Sequence, residues 1–301
     1  MIVFLNGKFV PERRAVVSVF DRGFLYGDGL FEGMLVTGGQ PFCWDEHMAR
    51  LERGARFLKL TLPFSFDALR LHARSLIQRN QMPEAILRLS MSRGITERGY
   101  SPKNARNPAF VMTLHPAPVI KKLPRWDVIT ASFRLPADDP LTHFKTANKL
   151  SQVLARAEAD AVGAHEAVLL NARGRLAEGT TSNLFWIKRG VVYTPELADG
   201  ALPGVTRSVV LALCAQVKIP CRQKKAAPSE LRNVEGAFLS MTSWGIVEIA
   251  TLDGRKFRRS GLVGQLWRRY RQLLLAAART LPGEASNAAR QRAGHKAQRT
   301  R

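Results

Sequence analysis

Residues 115–126, "HPAPVIKKLPRW", constrain the fold most, because three prolines in twelve residues suit neither a helix interior nor a central strand. They cut the chain into two blocks, and each block mixes strand and helix patterns. The pattern implies a mixed α/β (α+β) fold in two domains. The expected bounds are 1–118 for an N-terminal α/β domain, 119–126 for a linker, 127–282 for a second domain and 283–301 for a tail.

The first block opens on a hairpin signal. In "MIVFLNGKFVP" two apolar runs flank Asn6-Gly7, a pair suited to a type I′ turn. A second hairpin is expected at Gly38-Gly39. "DEHMARLERGARFLKL" reads as a helix with Met48, Leu51, Ala55 and Leu58 on one face and Asp45 as N-cap. "FDALRLHARSLIQRNQM" reads as a second helix, and "EAILRLSMSRG" and "AFVMTLHPAP" read as strands.

In the second block "DVITASF" reads as a strand and 148–162 as a helix. Its expected apolar face is Leu150, Val153, Leu154 and Ala157, and Thr146 could cap it. Two hairpins, "EAVLLN-ARG-RLAEG" and "NLFWIK-RG-VVYTP", precede the helix "LPGVTRSVVLALCAQ". Further strands and a closing helix at "LVGQLWRRYRQLLLAAART" complete the block.

The net charge is +22, partly concentrated in 283–301, which is poor in large apolar residues and expected to be disordered. The rest of the positive charge is spread over many elements, as on a solvated surface. Charge alone supports a basic nucleic-acid-binding protein, but no recognition motif accompanies it, so no specific nucleic acid is expected. Three scattered cysteines with no histidine cluster argue against disulfides and a metal site. No basic leader with an apolar core opens the chain, and no apolar run reaches membrane-span length. A cytoplasmic location with no membrane partner is expected.

A few residues could carry chemistry. Lys145 stands between a proline-containing loop and a helix. It is either one more solvated charge or, if buried beside Phe144, an amine with lowered pKa and enhanced nucleophilicity. Lys149, one turn on, is expected to face solvent. Glu178, in "RLAEGTTSNLFW", is followed by three hydroxyl residues that serve either a turn or a pocket. "LPGVTR" offers helix-start amides for an anion, and "MTSWG" adds a hydroxyl pair. Arg50 is either an i,i+4 partner of Glu46 or a buried guanidinium that needs an anion. "SRGITERGYSP" could be a solvated loop or a carboxylate clamp. Together these are the parts a pyridoxal phosphate enzyme needs.

The order of these parts resembles the class IV aminotransferases, the fold-type IV pyridoxal phosphate family. The resemblance runs from about residue 2 to 275. Its most specific piece is "KTANKLSQVLARAEADAVGAHEAVLLNARGRLAEGTTSNLFW", followed by "GVVYTP" and "LPGVTR", with "DRGFLYGDGLFEG" and "EHMARL" in support. The resemblance implies pyridoxal 5'-phosphate between two α/β domains of a homodimer, acting on an amino-acid-type substrate. It implies Lys145 as the Schiff-base lysine and Glu178 as the partner of the pyridine nitrogen. It implies Arg50, the backbone of Val205 and Thr206, and Thr242 as the phosphate site. Asn183 would lie beside the cofactor, and Phe31 in the substrate pocket. Arg98 and Tyr100 are candidates for gripping a substrate carboxylate.

Features of several branches coexist. "RGITERGYSP", "KTANKLSQVL" and "NLFW" resemble the 4-amino-4-deoxychorismate lyases, which release pyruvate and leave 4-aminobenzoate for folate synthesis. The D-amino acid aminotransferases carry Arg-x-His where this chain has Arg98-Gly99-Tyr100. "EGTTSNLF" leans toward the transaminases, and "FEGM" echoes the branched-chain group. A lyase is the leading specific expectation. A branched-chain or D-amino acid aminotransferase is the alternative.

Overall fold

The computed structural model describes residues 1–279. The tail expected at 283–301 lies outside the described residues. Among those described, no helix is long and apolar enough to cross a membrane.

Six strands form the first sheet: β1 (Ile2–Leu5), β2 (Lys8–Pro11), β3 (Gly29–Thr37), β4 (Gln40–Pro41), β5 (Ala85–Ser92) and β6 (Phe110–Pro116), in the order β2-β1-β6-β5-β3-β4. The first hairpin turns at Asn6 (φ 48°) and Gly7 (φ 88°), and the next at Gly38 and Gly39, also at positive φ. Period-two burial sends Met34 and Val36 of β3, Leu87 and Leu89 of β5, and Met112 and Leu114 of β6 to one face. There they meet α2 (Trp44–Leu58) and α3 (Phe66–Asn80), whose buried Met48, Leu51, Ala55, Leu69 and Leu76 recur at helical spacing. Asp45 is not the N-cap of α2. The buried Trp44 extends the helix by one residue, Cys43 takes the cap position, and Asp45 sits in the first turn, paired with Arg70.

The second sheet has nine strands: β7 (Arg125–Leu135), β8 (Glu166–Asn171), β9 (Leu176–Gly179), β10 (Asn183–Lys188), β11 (Val191–Pro195), β12 (Cys221–Lys224), β13 (Gly236–Met241), β14 (Gly245–Leu252) and the short β15 (Arg255–Lys256). Every residue of β8 and β13 is buried, so their apolar residues run consecutively, Ala167 to Leu170 and Ala237 to Leu239, rather than alternating. α5 (Val205–Gln216) and α6 (Gly261–Arg279) cover one face through Val210, Leu213, Val263 and Leu266, packed on Phe185 and Phe238. Strand β7 starts at Arg125, so the last two residues of the expected linker pair with β14 instead. Arg125 also reaches the buried Glu248 at 2.9 Å.

Helix α4 (Leu150–Ala161) differs from expectation in both start and face. Its buried residues are Ala155 and Ala159, which pack closely on Ala131, Ala167 and Leu169 of β7 and β8. Leu150, Val153 and Leu154 therefore stand exposed, as does Ala157. Lys149 occupies the N-cap position, and no side chain caps the helix. Thr146 is buried instead and forms a bridge with Leu30 of β3. Two bonds fix this crossing: Phe31 N–H donates to Lys145 O at 3.0 Å, and Ala147 N–H to Gly29 O at 2.9 Å. Lys145 is thereby tied by its backbone to the first sheet while its chain neighbours belong to the second half.

Candidate active site

A cavity of about 620 Å³ lies at this crossing, bounded by β3, β5, the start of α4, β9, the start of α5 and the end of β13. Lys145 lines it, with Nζ 4.5 Å from the ring centroid of Phe31. Burial lowers the Lys145 pKa to about 8, assisted by the nearby Arg50 and Lys149 cations and opposed by Glu32 and Glu178. A neutral fraction of the amine therefore exists near physiological pH, which makes it a usable nucleophile.

Glu178 comes from β9 and lines the same cavity. Burial raises its pKa to about 7, partly offset by the Leu202 N–H and by the Lys149 and Lys145 charges. Its Oε2 accepts that N–H at 2.8 Å. Lys149 does not face open solvent. It lines the cavity, and burial lowers its pKa. An acid and two amines thus share one cavity, each shifted toward its neutral form, as sites of proton transfer require.

Glu178 also helps hold the loop before α5. The Leu202 carbonyl accepts from Asn183 Nδ2 at 2.9 Å, and the Pro203 carbonyl from Arg50 Nη1 at 3.1 Å. Gly204 ends this loop and takes the cap position of α5 without a side-chain cap. A Cβ on Gly204 would lie 2.0 Å from Asn183 Oδ1, so only glycine lets the loop pass. The first amides of α5, at Val205 and Thr206, border the cavity and have no intrahelical acceptor.

Arg50 is nearly fully buried in α2, which excludes surface pairing with Glu46. Its charge is already matched inside the protein, because Glu32 of β3 binds it twice, at 2.8 Å to Nε and 2.6 Å to Nη2. Glu32 also meets His47 Nδ1 at 2.7 Å and is fully buried. Although burial alone would raise its pKa, the Arg50 guanidinium and the His47 bond bring Glu32 down to about 2. Three Arg50 N–H groups are used in this way, leaving two for a ligand.

The hydroxyls after Glu178 have a specific acceptor. Thr180, Thr181 and Ser182 all donate to Glu166, a fully buried carboxylate on β8, as do the backbone amides of Thr180 and Thr181. They shape the wall of the cavity by satisfying one buried acid.

Phe31, Arg50, Lys145, Glu178, Asn183, Val205, Thr206 and Thr242 therefore line one cavity. Arg98 and Tyr100 do not. Their loop is held by the guanidinium of the buried Arg22, which donates to the carbonyls of Gly99, Tyr100 and Ser101 at 2.9–3.2 Å. Tyr100 packs edge-on against Tyr26 and is 84% exposed. The sequence reading missed Glu32 and Glu166, whose partners lie on other elements, and Arg88 and Ser240, which also border the cavity.

An amine, an acid in the same cavity, and a set of donors at a helix start match what pyridoxal phosphate presents: an aldehyde, a ring nitrogen and a dianion. Ser240 strengthens the fit, since its Oγ is buried at the cavity edge without a hydrogen-bond partner among the described residues. The family profile described as amino-transferase class IV matches residues 29–252. The chain belongs to the class IV aminotransferases. Members of this family use pyridoxal phosphate, and the cavity carries groups suited to it. Among relatives of this class IV aminotransferase, a Methanocaldococcus jannaschii protein, provisionally named a branched-chain-amino-acid aminotransferase, is 35% identical over 85% of this chain and 89% of its own. The D-alanine aminotransferase of Bacillus licheniformis is 30% identical over 88% of this chain and 93% of its own. The solved 4-amino-4-deoxychorismate lyase of Pseudomonas aeruginosa superposes with a TM-score of 0.78 at 29% identity, covering 90% of this chain and 98% of that one. The two-sheet architecture is the fold-type IV fold.

Proposed function

We propose that the chain is an amino-acid transaminase that uses Lys145 as both the covalent anchor of pyridoxal phosphate and the proton carrier. The observation that carries the reading is the shared cavity itself, in which the Lys145 amine stands 4.5 Å from the Phe31 ring and lines the same walls as Glu178 and the start of α5. Bound there, pyridoxal phosphate supplies an aldehyde that captures amines and a ring that accepts electrons when a substrate carbon loses its proton. The residues around it have separable tasks. Lys145 Nζ, once free, takes the proton from the substrate carbon and can return it to a neighbouring carbon. Glu178 would face the ring nitrogen, and the proton that its raised pKa lets it hold or give up would be shared with that nitrogen. Val205 N–H, Thr206, Thr242, Ser240 and the two spare Arg50 N–H groups would hold the phosphate. Asn183 braces the loop that presents those amides. Phe31 forms a wall beside the reacting amine.

A transaminase is favoured because relatives at 35% and 30% identity both carry aminotransferase names. A lyase is the second reading, favoured by the Pseudomonas aeruginosa neighbour. It would use the same Lys145 proton transfer and then expel pyruvate. The deciding experiment incubates the protein with L-leucine or D-alanine plus 2-oxoglutarate, and separately with 4-amino-4-deoxychorismate. Formation of a keto acid and glutamate supports the transaminase. Formation of 4-aminobenzoate and pyruvate alone overturns it in favour of the lyase.

A homodimer is part of the proposal. Exposed Val19, Phe20, Phe24 and Leu25 lie around α1 (Arg22–Tyr26), and exposed Leu150, Val153 and Leu154 lie on α4. Asn148 Nδ2 donates to Gly27 O at 3.2 Å and so brings the two groups close together. Exposed apolar surface of this kind suits a second copy. Sedimentation of a monomer at all accessible concentrations would contradict it.

A further inference from the structure

The fold carries a positive charge that the cavity does not use. Only five of the 46 Lys and Arg residues and one of the 24 acids lie beyond Arg279, so the described residues alone hold a net charge of +18. The excess is sharpest at the end of the second half. Between Gly254 and Arg279 there is no Asp or Glu. In that span Arg255, Lys256, Arg258 and Arg259 follow one another around β15, and α6 adds Arg268, Arg269, Arg271 and Arg279. Surface cations elsewhere have partners, as Arg70 has Asp45, Arg173 has Asp138, and Lys188 and Lys224 share Glu230. None of these eight has an ion pair among the described residues.

The local structure turns them outward. Phe257 is buried, its N–H donates to Ala250 O at 2.8 Å, and its carbonyl accepts from Arg125 Nη2 at 2.8 Å. Its neighbours Lys256 and Arg258 are exposed on either side. Ser260 N–H donates to Glu248 Oε1 at 2.7 Å and leads the chain into α6. That helix commits Val263, Leu266, Tyr270 and Leu274 to the core, and Arg268, Arg269 and Arg279 are exposed on the side turned away from them. Asp253, the acid just ahead of this segment, is already engaged by Thr130, through its N–H at 2.6 Å and its hydroxyl at 2.7 Å.

This placement does not serve the stability of the fold. Cations oppose the positive end of a helix dipole, yet Arg258 and Arg259 stand just ahead of the N-terminus of α6. Unpaired like charges also repel one another across the patch. A bound polyanion relieves both costs. A second copy of this chain does not, because it brings the same cations to the contact. A membrane is a poor match, because the apolar side of α6 is buried and only Leu273 and Leu275, near its end, are left exposed to insert. Seven of the eight cations are arginines, whose forked N–H groups fit phosphate oxygens. Phe257 and Tyr270 are buried, so the patch lacks the exposed rings on which single-stranded bases stack. A paired duplex is the better fit. At 1.5 Å per residue α6 is about 28 Å long, over which B-DNA presents on the order of 16 phosphates.

We propose that the β15 turn and the outer side of α6 form a sequence-independent binding surface for the phosphate backbone of a nucleic-acid duplex. This would be a second activity, separate from the cavity, and it stands whether or not the transaminase reading does.

The test titrates full-length protein into a labelled DNA duplex of mixed sequence and follows anisotropy from about 50 to about 200 mM salt. Wild type is compared with three variants. The turn variant changes Arg255, Lys256, Arg258 and Arg259 to Gln, and the helix variant combines Arg268→Gln with Arg269→Gln. The tail variant changes Arg290, Arg292, Lys296, Arg299 and Arg301 to Gln. None of these positions lines the cavity, so turnover should not change. Wild-type affinity should fall steeply with salt. The turn variant should flatten the slope of log affinity against log salt by about 3 to 4, and the helix variant by about 2, at about 0.9 per lost phosphate contact. The helix variant carries the test if the turn variant does not fold. The tail variant should keep salt-dependent binding. Unchanged slopes in the turn and helix variants, with binding lost in the tail variant, would overturn the proposal. So would no binding of the wild type at about 50 mM salt. Binding to vesicles containing phosphatidylglycerol, with none to the duplex, would overturn it in favour of a membrane.

Discussion

The Lys145 carbonyl accepts the Phe31 N–H at 3.0 Å, and the Lys145 amine lies 4.5 Å from the Phe31 ring. One residue of the first sheet thus fixes both the backbone and the side-chain neighbourhood of the reacting amine. The site depends on this crossing, because Glu178 and the start of α5, which line the same cavity, belong to the second half of the chain.

Glu178 should matter to chemistry more than to cofactor retention. Glu178→Gln is expected to keep pyridoxal phosphate and lose about 10²- to 10⁴-fold in kcat, the usual range for a group that controls a proton. Its raised pKa also predicts a stability effect in the cofactor-free protein. A carboxyl with pKa about 7 when folded and near 4.5 when unfolded binds its proton more tightly in the folded state. Its burial therefore costs stability above pH 7 and little below pH 4.5. The melting temperature of cofactor-free Glu178→Gln should exceed that of the wild type at pH 8 and match it near pH 5. A constant difference across that range would contradict the burial account.

Lys149 tunes both neighbours. Its charge lowers the pKa of Lys145 and that of Glu178. Lys149→Met should therefore move the Lys145 pKa above about 8 and slow capture of an aldehyde at pH 7.5. The rate of cofactor uptake against pH reports this directly. The wild-type rate should rise through about pH 8, and the variant should show the same rise at higher pH. An unshifted profile would remove Lys149 from the site.

Glu32 should be a stability residue that acts through Arg50. Removing one partner of a buried ion pair leaves the other uncompensated, at a cost of about 3–5 kcal/mol. Glu32→Ala is expected to lose that order of stability in chemical unfolding and to weaken cofactor binding. Because Glu32 is held at about 2 against an ordinary 4.5, its contribution is complete above pH 4.5 and disappears as pH falls toward 2. An Ala variant that unfolds in acid just as the wild type does would contradict this.

Gly204 and Asn183 form a steric pair. Gly204→Ala places a methyl 2.0 Å from Asn183 Oδ1, so the loop must move and the α5 amides with it. Cofactor affinity should fall at least about tenfold, and Asn183→Ala in the same chain should restore part of it, with a coupling of about 0.5–3 kcal/mol. Strictly additive losses would mean that the contact does not set the loop.

The sequence carried the catalytic list further than the contacts behind it. Lys145, Glu178 and the α5 start stand in local motifs, and each lines the cavity. The partners of Arg50 and of the Thr180–Ser182 hydroxyls are not local. Glu32 lies 18 residues before Arg50 and Glu166 lies 14 before Thr180, each on another element. Helical periodicity correctly grouped Leu150, Val153 and Leu154 on one side of α4. It could not tell that Ala155 and Ala159 give the closer packing and turn that side outward. Lys149 reads as a surface residue from its place beside a helix start, and only the cavity that forms when the two halves meet reveals otherwise. The Arg98 and Tyr100 loop follows the carbonyl grip of Arg22, a bond set that spans 77–79 residues and has no sequence signature.

The central claim is that the amine of Lys145 is the one that bonds the cofactor. The direct measurement is borohydride reduction of the holoenzyme, followed by proteolysis and mass spectrometry of the labelled peptide. The account predicts bleaching of the yellow band and one cofactor-modified lysine, at position 145, with no label in Lys145→Ala. A label on Lys149 instead, or a yellow Lys145→Ala protein with full turnover, would contradict it.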